Sequence, residues 1–312
     1  MPLDPQVKPL LAAKAALPPI ETLSVEEARR NTLAGIQSPA PALTRLPVAS
    51  VRDMTIPGPA RNELPVRIYT PLGAGPFPLM AFFHGSGFVI CNLDTHDTMC
   101  RNLCSAAGCV VVSVDYRLAP DHKFPAAPED CYAATCWAAE HARELNADPS
   151  RLVVAGDSAG GNLAAVTAMR VRDQRGPALR GQLLLYPVIS YHTPATPSYV
   201  ENAEGYGLTA AAMKWYWNHY LVSPADAENP YACPSRAAHL RGLAPALIIT
   251  GEYDVLRDEG ERYGEALRAA GVAAQITRYD GYHHGFFNFV GVLDRARLAL
   301  EEAATWLKSR CA

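Results

Sequence analysis

Short apolar runs recur along the chain from residue 65 onward, and most are bounded by Gly, Pro or Asp. Runs of this length and composition are typical of strands that are buried on both faces of a parallel sheet. The predicted strands cover residues 66–69, 79–83, 110–114, 152–155, 182–186, 246–250 and 274–279. Together they predict one large, mostly parallel central sheet.

The segments between these runs carry apolar residues at spacings of three and four, which predicts amphipathic helices. The predicted helices cover residues 95–107, 128–145, 159–173, 258–270 and 292–308. Strands that alternate with helices in this way indicate an α/β fold, in which helices flank the sheet on both faces. A chain of 312 residues is long enough for one large domain with an insertion.

Two stretches depart from this alternation. Residues 1–50 are rich in Ala, Leu and Pro, and residues 191–228 hold a cluster of Tyr and Trp. We expect these two stretches to form a helical cap over a catalytic domain made of residues 51–190 and 229–312. For any one of the aromatic rings, core packing within a helical insertion is the favoured interpretation.

The sequence Gly-Asp-Ser-Ala-Gly-Gly at 156–161 follows one predicted strand and opens a predicted helix. A serine at such a strand-to-helix turn has a strained backbone that exposes its hydroxyl, and the glycines allow the neighbouring chain to pack closely. Ser158 could instead cap the helix, as serine often does. The flanking glycines and the partners described next favour Ser158 as a nucleophile.

A serine nucleophile needs a base, and the base needs a carboxylate to orient it. Asp254 and His284 each come soon after a predicted strand, so both fall at the carboxyl edge of the sheet, where catalytic groups collect. Asp258 is an alternative to Asp254 but lies farther from the strand end. His283 and His284 are equivalent on spacing alone.

N–H donors are also needed for the oxyanion that develops when the serine attacks. The sequence His-Gly-Ser-Gly at 84–87 directly follows the predicted strand 79–83, and Ala159 directly follows the candidate nucleophile. Backbone N–H groups at both places are therefore candidate donors. We expect His84 to anchor its loop by hydrogen bonds to the backbone rather than to transfer protons.

Six segments match one known pattern in order: HGSGFV (84–89), LDTHD (93–97), DYRLAPDHKFPAAPED (115–130), GDSAGG (156–161), DVLRDEG (254–260) and HGF (284–286). The chain resembles, from about residue 60 to 305, the hormone-sensitive-lipase-like family of α/β-hydrolases, in particular its bacterial carboxylesterases. The resemblance implies an α/β-hydrolase fold, with Ser158 as nucleophile, His284 as general base and acid, and Asp254 as the orienting carboxylate. It also implies an oxyanion hole made by the N–H groups of Ser86, Gly87 and Ala159.

The chain departs from this pattern at Ser86, because the family usually has HGGG where this sequence has HGSG. The backbone donor is expected to remain, and the added side chain is expected to narrow the pocket and disfavour esters of tertiary alcohols. Gly85 and Asp157 are expected to support the site without contacting the substrate. We expect a structural role for Asp157; the alternative is that Asp157 orients the loop of residues 84–87, which we call the oxyanion loop.

Charge and cysteine content narrow the partners further. With a net charge of −3, the chain has no excess of positive charge that would attract nucleic acid or an anionic membrane. The expected partner is therefore a small-molecule ester. Lys14 and the prolines around it interrupt the apolar N-terminal stretch, which argues against a signal peptide, stable membrane association or a membrane span and favours a cytoplasmic protein. The eight cysteines form no CxxC pair and are expected to be free, mostly buried thiols.

No metal and no cofactor are expected. Asp94, His96 and Asp97 could suggest a metal site, but nothing in the sequence places further ligands near them. Arg117 with Glu129 and Asp130 is expected to be a structural ion network rather than a substrate clamp.

The expected function is that of a serine carboxylesterase acting on short- to medium-chain esters through an acyl-enzyme. An amidase, peptidase or deacetylase would use the same three residues, and a non-catalytic small-molecule receptor is disfavoured because His284 is present. Activity is expected to fall on acidification, since a histidine accepts a proton only when neutral. A homodimer is compatible with the sequence.

Overall fold

The computed structural model describes residues 1–37 and 43–312, and within them eight strands form one sheet. The strands are β1 (Ser50–Pro57), β2 (Glu63–Thr70), β3 (Phe77–Phe83), β4 (Val110–Val114), β5 (Ala147–Asp157), β6 (Leu179–Leu185), β7 (Ala246–Tyr253) and β8 (Ala274–His283). Their order is β1-β2-β4-β3-β5-β6-β7-β8. Only β2 runs against its neighbours β1 and β4, and all other pairs are parallel. The predicted α/β architecture is confirmed.

Helices cover both faces of the sheet. They are α1 (Val7–Ala15), α2 (Val25–Gln37), α3 (Asp97–Ala107), α4 (Ala126–Glu140), α5 (Ala159–Asp173), α6 (Pro197–Glu201), α7 (Ala210–Tyr220), α8 (Arg257–Ala269) and α9 (Asp294–Arg310). Alternate residues of β3 serve two cores, because successive strand side chains point to opposite faces. Leu79 and Ala81 pack with α4 and α5, whereas Met80 and Phe82 pack with α3 and α9.

Strand β1 was not predicted from the sequence, in which the first predicted strand covers residues 66–69. Ile56 is the one fully buried side chain of this edge strand, and its other residues are exposed or half-buried. The strand therefore lacks the apolar run that identified the others. It is held instead by antiparallel pairing along the whole of β2, from Ser50 opposite Thr70 to Pro57 opposite Glu63.

Each of the two stretches outside the βα alternation contains helices. The first contains α1 and α2, with residues 38–42 outside the described part, and the second contains α6 and α7. The turn Ile20–Thr22, which follows α1, packs against α7. Tyr199, Trp217 and Tyr220 are buried in the main core, as the core-packing interpretation predicts.

The eight cysteines are all free thiols, and six of them are buried. The sequence-based expectation about the cysteines is thus confirmed. None of the helices in the described ranges combines the length and apolar character needed to cross a membrane.

Candidate active site

Ser158 occupies the turn between β5, which ends at Asp157, and α5, which begins at Ala159. Its backbone combines a positive φ of 55° with a ψ of −118°, a conformation that is costly for a residue with a Cβ. Three hydrogen bonds hold it there: its N–H donates to the Leu185 carbonyl at 2.8 Å, and its carbonyl accepts from the N–H groups of Asn162 and Val188, each at 3.1 Å. The turn therefore fixes the Ser158 hydroxyl at the carboxyl edge of the sheet.

His284 bridges Ser158 and Asp254. Its Nε2 lies 3.0 Å from Ser158 Oγ, and its Nδ1 lies 2.7 Å from Asp254 Oδ2. Asp254 is 1% exposed, and its other oxygen accepts a hydrogen bond from Leu256 N–H at 2.9 Å. The carboxylate is thus fixed, and it can hold the imidazole with Nδ1 protonated and Nε2 free to accept the serine proton.

The alternative residues considered from the sequence lie elsewhere. Asp258 accepts a hydrogen bond from Ser198 N–H at 2.9 Å and forms an ion pair with Arg257. It therefore links the first turn of α8 to α6. His283 precedes His284 but is 5% exposed, and its Nδ1 has no hydrogen-bond partner in the described part of the chain. Burial lowers the pKa of His283 to about 4, so this ring is neutral at ordinary pH.

The loop after β3 is strained in the same region. Ser86, Gly87 and Phe88 all have positive φ angles, of 94°, 61° and 66°. A Cβ at Gly87 would overlap the ring of Tyr216 in α7, and Phe88 stacks on Tyr220 with ring centroids 3.8 Å apart. Packing against α7 therefore compensates a backbone conformation that costs of order 1–3 kcal/mol per non-glycine residue.

The N–H groups of Ser86 and Gly87 donate to no group in the ranges that the structure covers. Ser86, Gly87 and Ser158 line the same cavity, and the Ala159 N–H, at the first position of α5, has no intrahelical acceptor. Free donors beside a nucleophile can receive an oxyanion.

Asp157 connects the turn at Ser158 to the loop that follows β3. Its Oδ1 accepts a hydrogen bond from Gly85 N–H at 2.9 Å and lies 3.2 Å from His96 Nε2. Burial opposes ionisation of Asp157, but the charge and hydrogen bond of His96 prevail and lower its pKa. These contacts tie the turn at Ser158 to the loop that follows β3, and both roles considered for Asp157 stay predictions.

His84 lies behind the loop and is fully buried. Its Nδ1 is 2.9 Å from the Gly85 carbonyl, its own carbonyl accepts from Tyr116 Oη at 2.8 Å, and its ring stacks on Tyr116. Burial, reinforced by the nearby His96, lowers the pKa of His84 to about 3, so the ring stays neutral. These are the contacts expected of a residue that anchors the loop.

The cavity above Ser158 has a volume of about 440 Å³. Several of its walls come from residues that the sequence analysis did not connect with the site. Helix α1 contributes Leu10, Leu11 and Lys14, whereas Met213 and Tyr216 come from α7. His96 also lines it, although the sequence analysis considered His96 only as a metal ligand. The LDTHD motif, at residues 93–97, is the sequence signal that could have placed His96 near the site.

The acidic residues near His96 pair with arginines. Asp94 lies 2.9 Å from Arg67, and Asp97 lies 2.8 Å from Arg101. Within residues 1–37 and 43–312, no three His, Cys, Asp or Glu side chains are grouped so that they could hold a metal ion. Arg117 forms a bidentate pair with the fully buried Asp130, which is the structural ion network expected from the sequence.

Glu259, in the first turn of α8, supports the loop that follows β6. Its Oε1 accepts hydrogen bonds from Ile189 N–H at 2.7 Å and Ser190 N–H at 3.2 Å, and the side chain is 2% exposed. Burial raises the pKa of Glu259 to about 8, although the two backbone hydrogen bonds oppose the rise. Glu259 is therefore protonated at neutral pH.

This raised pKa predicts a pH-dependent stability. The folded-state pKa exceeds the ordinary value of 4.5. The contribution of Glu259 to the free energy of unfolding is therefore complete below pH 4.5 and is lost as the pH rises from there through 8. Wild type should therefore lose about 4 kcal/mol more unfolding free energy than Glu259→Gln when the pH is raised from 5 to 9. Urea denaturation at both pH values measures this. Glu265→Gln, an exposed control on α8, should show no such change, and an equal difference at both pH values for Glu259→Gln would contradict the assignment.

The fold and this geometry are those of a candidate serine hydrolase site on an α/β sheet. A family model described as alpha/beta hydrolase fold matches residues 80–288. The carboxylesterase NlhH of Mycobacterium tuberculosis is 38% identical over 311 residues, which cover 97% of this chain and 96% of that protein. The chain therefore belongs to the hormone-sensitive-lipase-like family of α/β-hydrolases.

Two further comparisons agree. The carboxylic ester hydrolase LipN of M. tuberculosis is 48% identical over 244 residues, which cover 76% of this chain and 64% of LipN, so the chain spans less than two thirds of that relative. A solved structure of a hyperthermophilic esterase from the archaeon Pyrobaculum calidifontis superposes with a TM-score of 0.92 at 42% identity, covering 99% of each chain. The similarity to this structure thus extends over nearly the whole chain, including the helices of residues 1–50 and 191–228.

Proposed function

We propose that this protein is a serine carboxylesterase that hydrolyses esters of short- to medium-chain carboxylic acids. The observation that carries the proposal is the continuous array from Asp254 through His284 to Ser158, with separations of 2.7 and 3.0 Å. The names of its relatives, carboxylesterase and carboxylic ester hydrolase, support the same reaction.

In the proposed mechanism, Ser158 Oγ attacks the ester carbonyl carbon while its proton passes to His284 Nε2. The electron pair of the carbonyl π bond moves to the oxygen, and the N–H groups of Ser86, Gly87 and Ala159 stabilise the resulting oxyanion. Collapse expels the alcohol, which takes the proton from His284. Water then attacks the acyl-enzyme by the same steps, releasing the acid and restoring Ser158.

The size of the cavity supports the proposed substrate range. A volume of about 440 Å³ lies in the lower part of the range for small-molecule pockets. Leu10, Leu11 and Met213 give it an apolar wall, and these residues come from α1 and α7. We propose that the helical segments of residues 1–50 and 191–228 form a cap that bounds the acyl group.

Hydrolysis of p-nitrophenyl esters from acetate to palmitate tests the proposal. We expect the highest kcat/KM between acetate and octanoate and little turnover of palmitate. A p-nitroanilide with the same acyl group should react far more slowly, whereas equal rates for ester and anilide would favour the amidase alternative. Absence of turnover for every ester would remove the proposed function.

Ser86 supports a narrower prediction about alcohol size. Its φ of 94° suits glycine better than serine, and its hydroxyl hydrogen-bonds to the Cys91 thiol at the cavity wall. Ser86→Gly should therefore widen the site and raise kcat/KM for tert-butyl acetate relative to ethyl acetate by about tenfold, the scale of discrimination for small groups in a pocket. Kinetics with both esters measure the ratio. A ratio equal to that of wild type would show that Ser86 does not limit alcohol size.

A further inference from the structure

Helix α1 contributes one cationic residue, the exposed Lys14, to the lining of the proposed catalytic cavity. Leu10, Leu11 and Lys14 are spaced by three and four residues, so they share a face of the helix, and all three line the cavity. Lys8 lies on the same helix but does not line it. Lys14 forms no salt bridge with a carboxylate of the ranges that the structure covers.

The other ionisable residues around the cavity do not neutralise this charge. Asp157 is 4% exposed and is engaged by Gly85 N–H and His96. His283 is neutral because burial lowers its pKa to about 4, and His284 is occupied by Asp254. The Lys14 ammonium is therefore an unpaired charge among the described residues that line the cavity.

The positive charge of Lys14 acts on Cys91, which lines the same cavity. Burial raises the pKa of the Cys91 thiol to about 11, and the positive charge of Lys14 is one of the effects that oppose this rise. Cys91 in turn hydrogen-bonds to the Ser86 hydroxyl. Glu21 acts on the same region, since its negative charge adds to the effect of burial in raising the pKa of Tyr216, but Glu21 is not a lining residue.

We propose that Lys14 forms a carboxylate-binding subsite, so that the enzyme favours esters that carry a terminal carboxylate, such as half-esters of dicarboxylic acids. The inference rests on the proposed esterase function. A carboxylate at the far end of the acyl chain would pair with the ammonium while the apolar wall contacts the methylene groups. Because this contact lies away from the reacting carbonyl, it acts on the ground state and the transition state alike and lowers KM rather than raising kcat.

Matched ester pairs test the subsite. Monoethyl succinate, glutarate and adipate differ from ethyl butyrate, pentanoate and hexanoate by a carboxylate in place of the terminal methyl group. The measured quantity is the ratio of kcat/KM for each charged ester to that of its neutral partner, followed by ethanol release. Lys14→Met removes the charge, Lys14→Glu reverses it, and Lys8→Met is the control on the same helix.

In Lys14→Met we expect this ratio to fall about threefold to fivefold for the best-fitting chain length, the value of an exposed ion pair. The loss should appear in KM, be larger in Lys14→Glu, and shrink in 0.5 M salt. Lys8→Met should match wild type. If wild type hydrolyses the neutral esters and Lys14→Met leaves every ratio unchanged, the proposed subsite is contradicted while the proposed esterase function stands. If wild type hydrolyses none of the esters, the proposed function fails first and the subsite with it.

Discussion

Replacing Ser158 with Ala should lower kcat/KM for p-nitrophenyl butyrate by about 10⁴-fold or more, the loss typical when a serine nucleophile is removed from an intact array. The variant retains the N–H donors and the cavity but has no hydroxyl from which His284 can take a proton. Because Ser158 is held by backbone hydrogen bonds to Leu185 and Val188, the fold should be kept. Initial rates and circular dichroism check both expectations.

The control for this change is Ser105→Ala. Ser105 lies in α3, is half-buried and does not line the cavity. Its replacement should leave kcat/KM within about twofold of wild type, as expected for a substitution away from the site. Comparable activity in Ser158→Ala and Ser105→Ala would show that ester hydrolysis does not proceed through Ser158.

Gly160→Ala should be the most destabilising small substitution near the site. A Cβ at Gly160 would overlap the carbonyl oxygen of Phe83 and crowd that of His84, where β3 passes into the oxyanion loop. These are backbone atoms of a buried strand end, so they cannot move aside without displacing the loop. We expect a loss of about 3 kcal/mol or more, which corresponds to a Tm lower by about 6 °C or more, together with greatly reduced activity.

Gly35→Ala provides a matched control. Gly35 also lies within a helix, but a Cβ there would have no atom within 4 Å. Because Ala favours helix more than Gly does, this variant should be as stable as wild type or more stable by up to about 1 kcal/mol. Thermal unfolding of both variants separates the clash from helix propensity. Equal Tm values for Gly160→Ala and wild type would contradict the close approach of α5 and β3.

The sequence was most informative where burial imposes a regular pattern. Strand β4, in which every residue from Val110 to Val114 is buried, requires a largely apolar run and was predicted with the same bounds. Strand β1 has one fully buried side chain, so pairing with β2 rather than composition defines it. Its position became known only from the structure.

Some residues of the candidate site could be predicted from the sequence, and others could not. Ser158, Asp254 and His284 follow strands of one parallel sheet, so their meeting at its carboxyl edge could be predicted from chain order. The approach of α1 to the cavity depends on tertiary packing between segments distant in sequence, and no local pattern indicates it. Lys14 was therefore interpreted from the sequence only as an interruption of an apolar stretch.

Covalent labelling of Ser158 tests the central proposal most directly. Wild type treated with a p-nitrophenyl alkylphosphonate should gain one phosphonyl group, with p-nitrophenol released, and the modified peptide should contain Ser158. His284→Ala should be labelled far more slowly because the serine then lacks its base, and Ser158→Ala should not be labelled. Labelling at another residue, or full esterase activity without any labelling, would contradict Ser158 as the activated nucleophile.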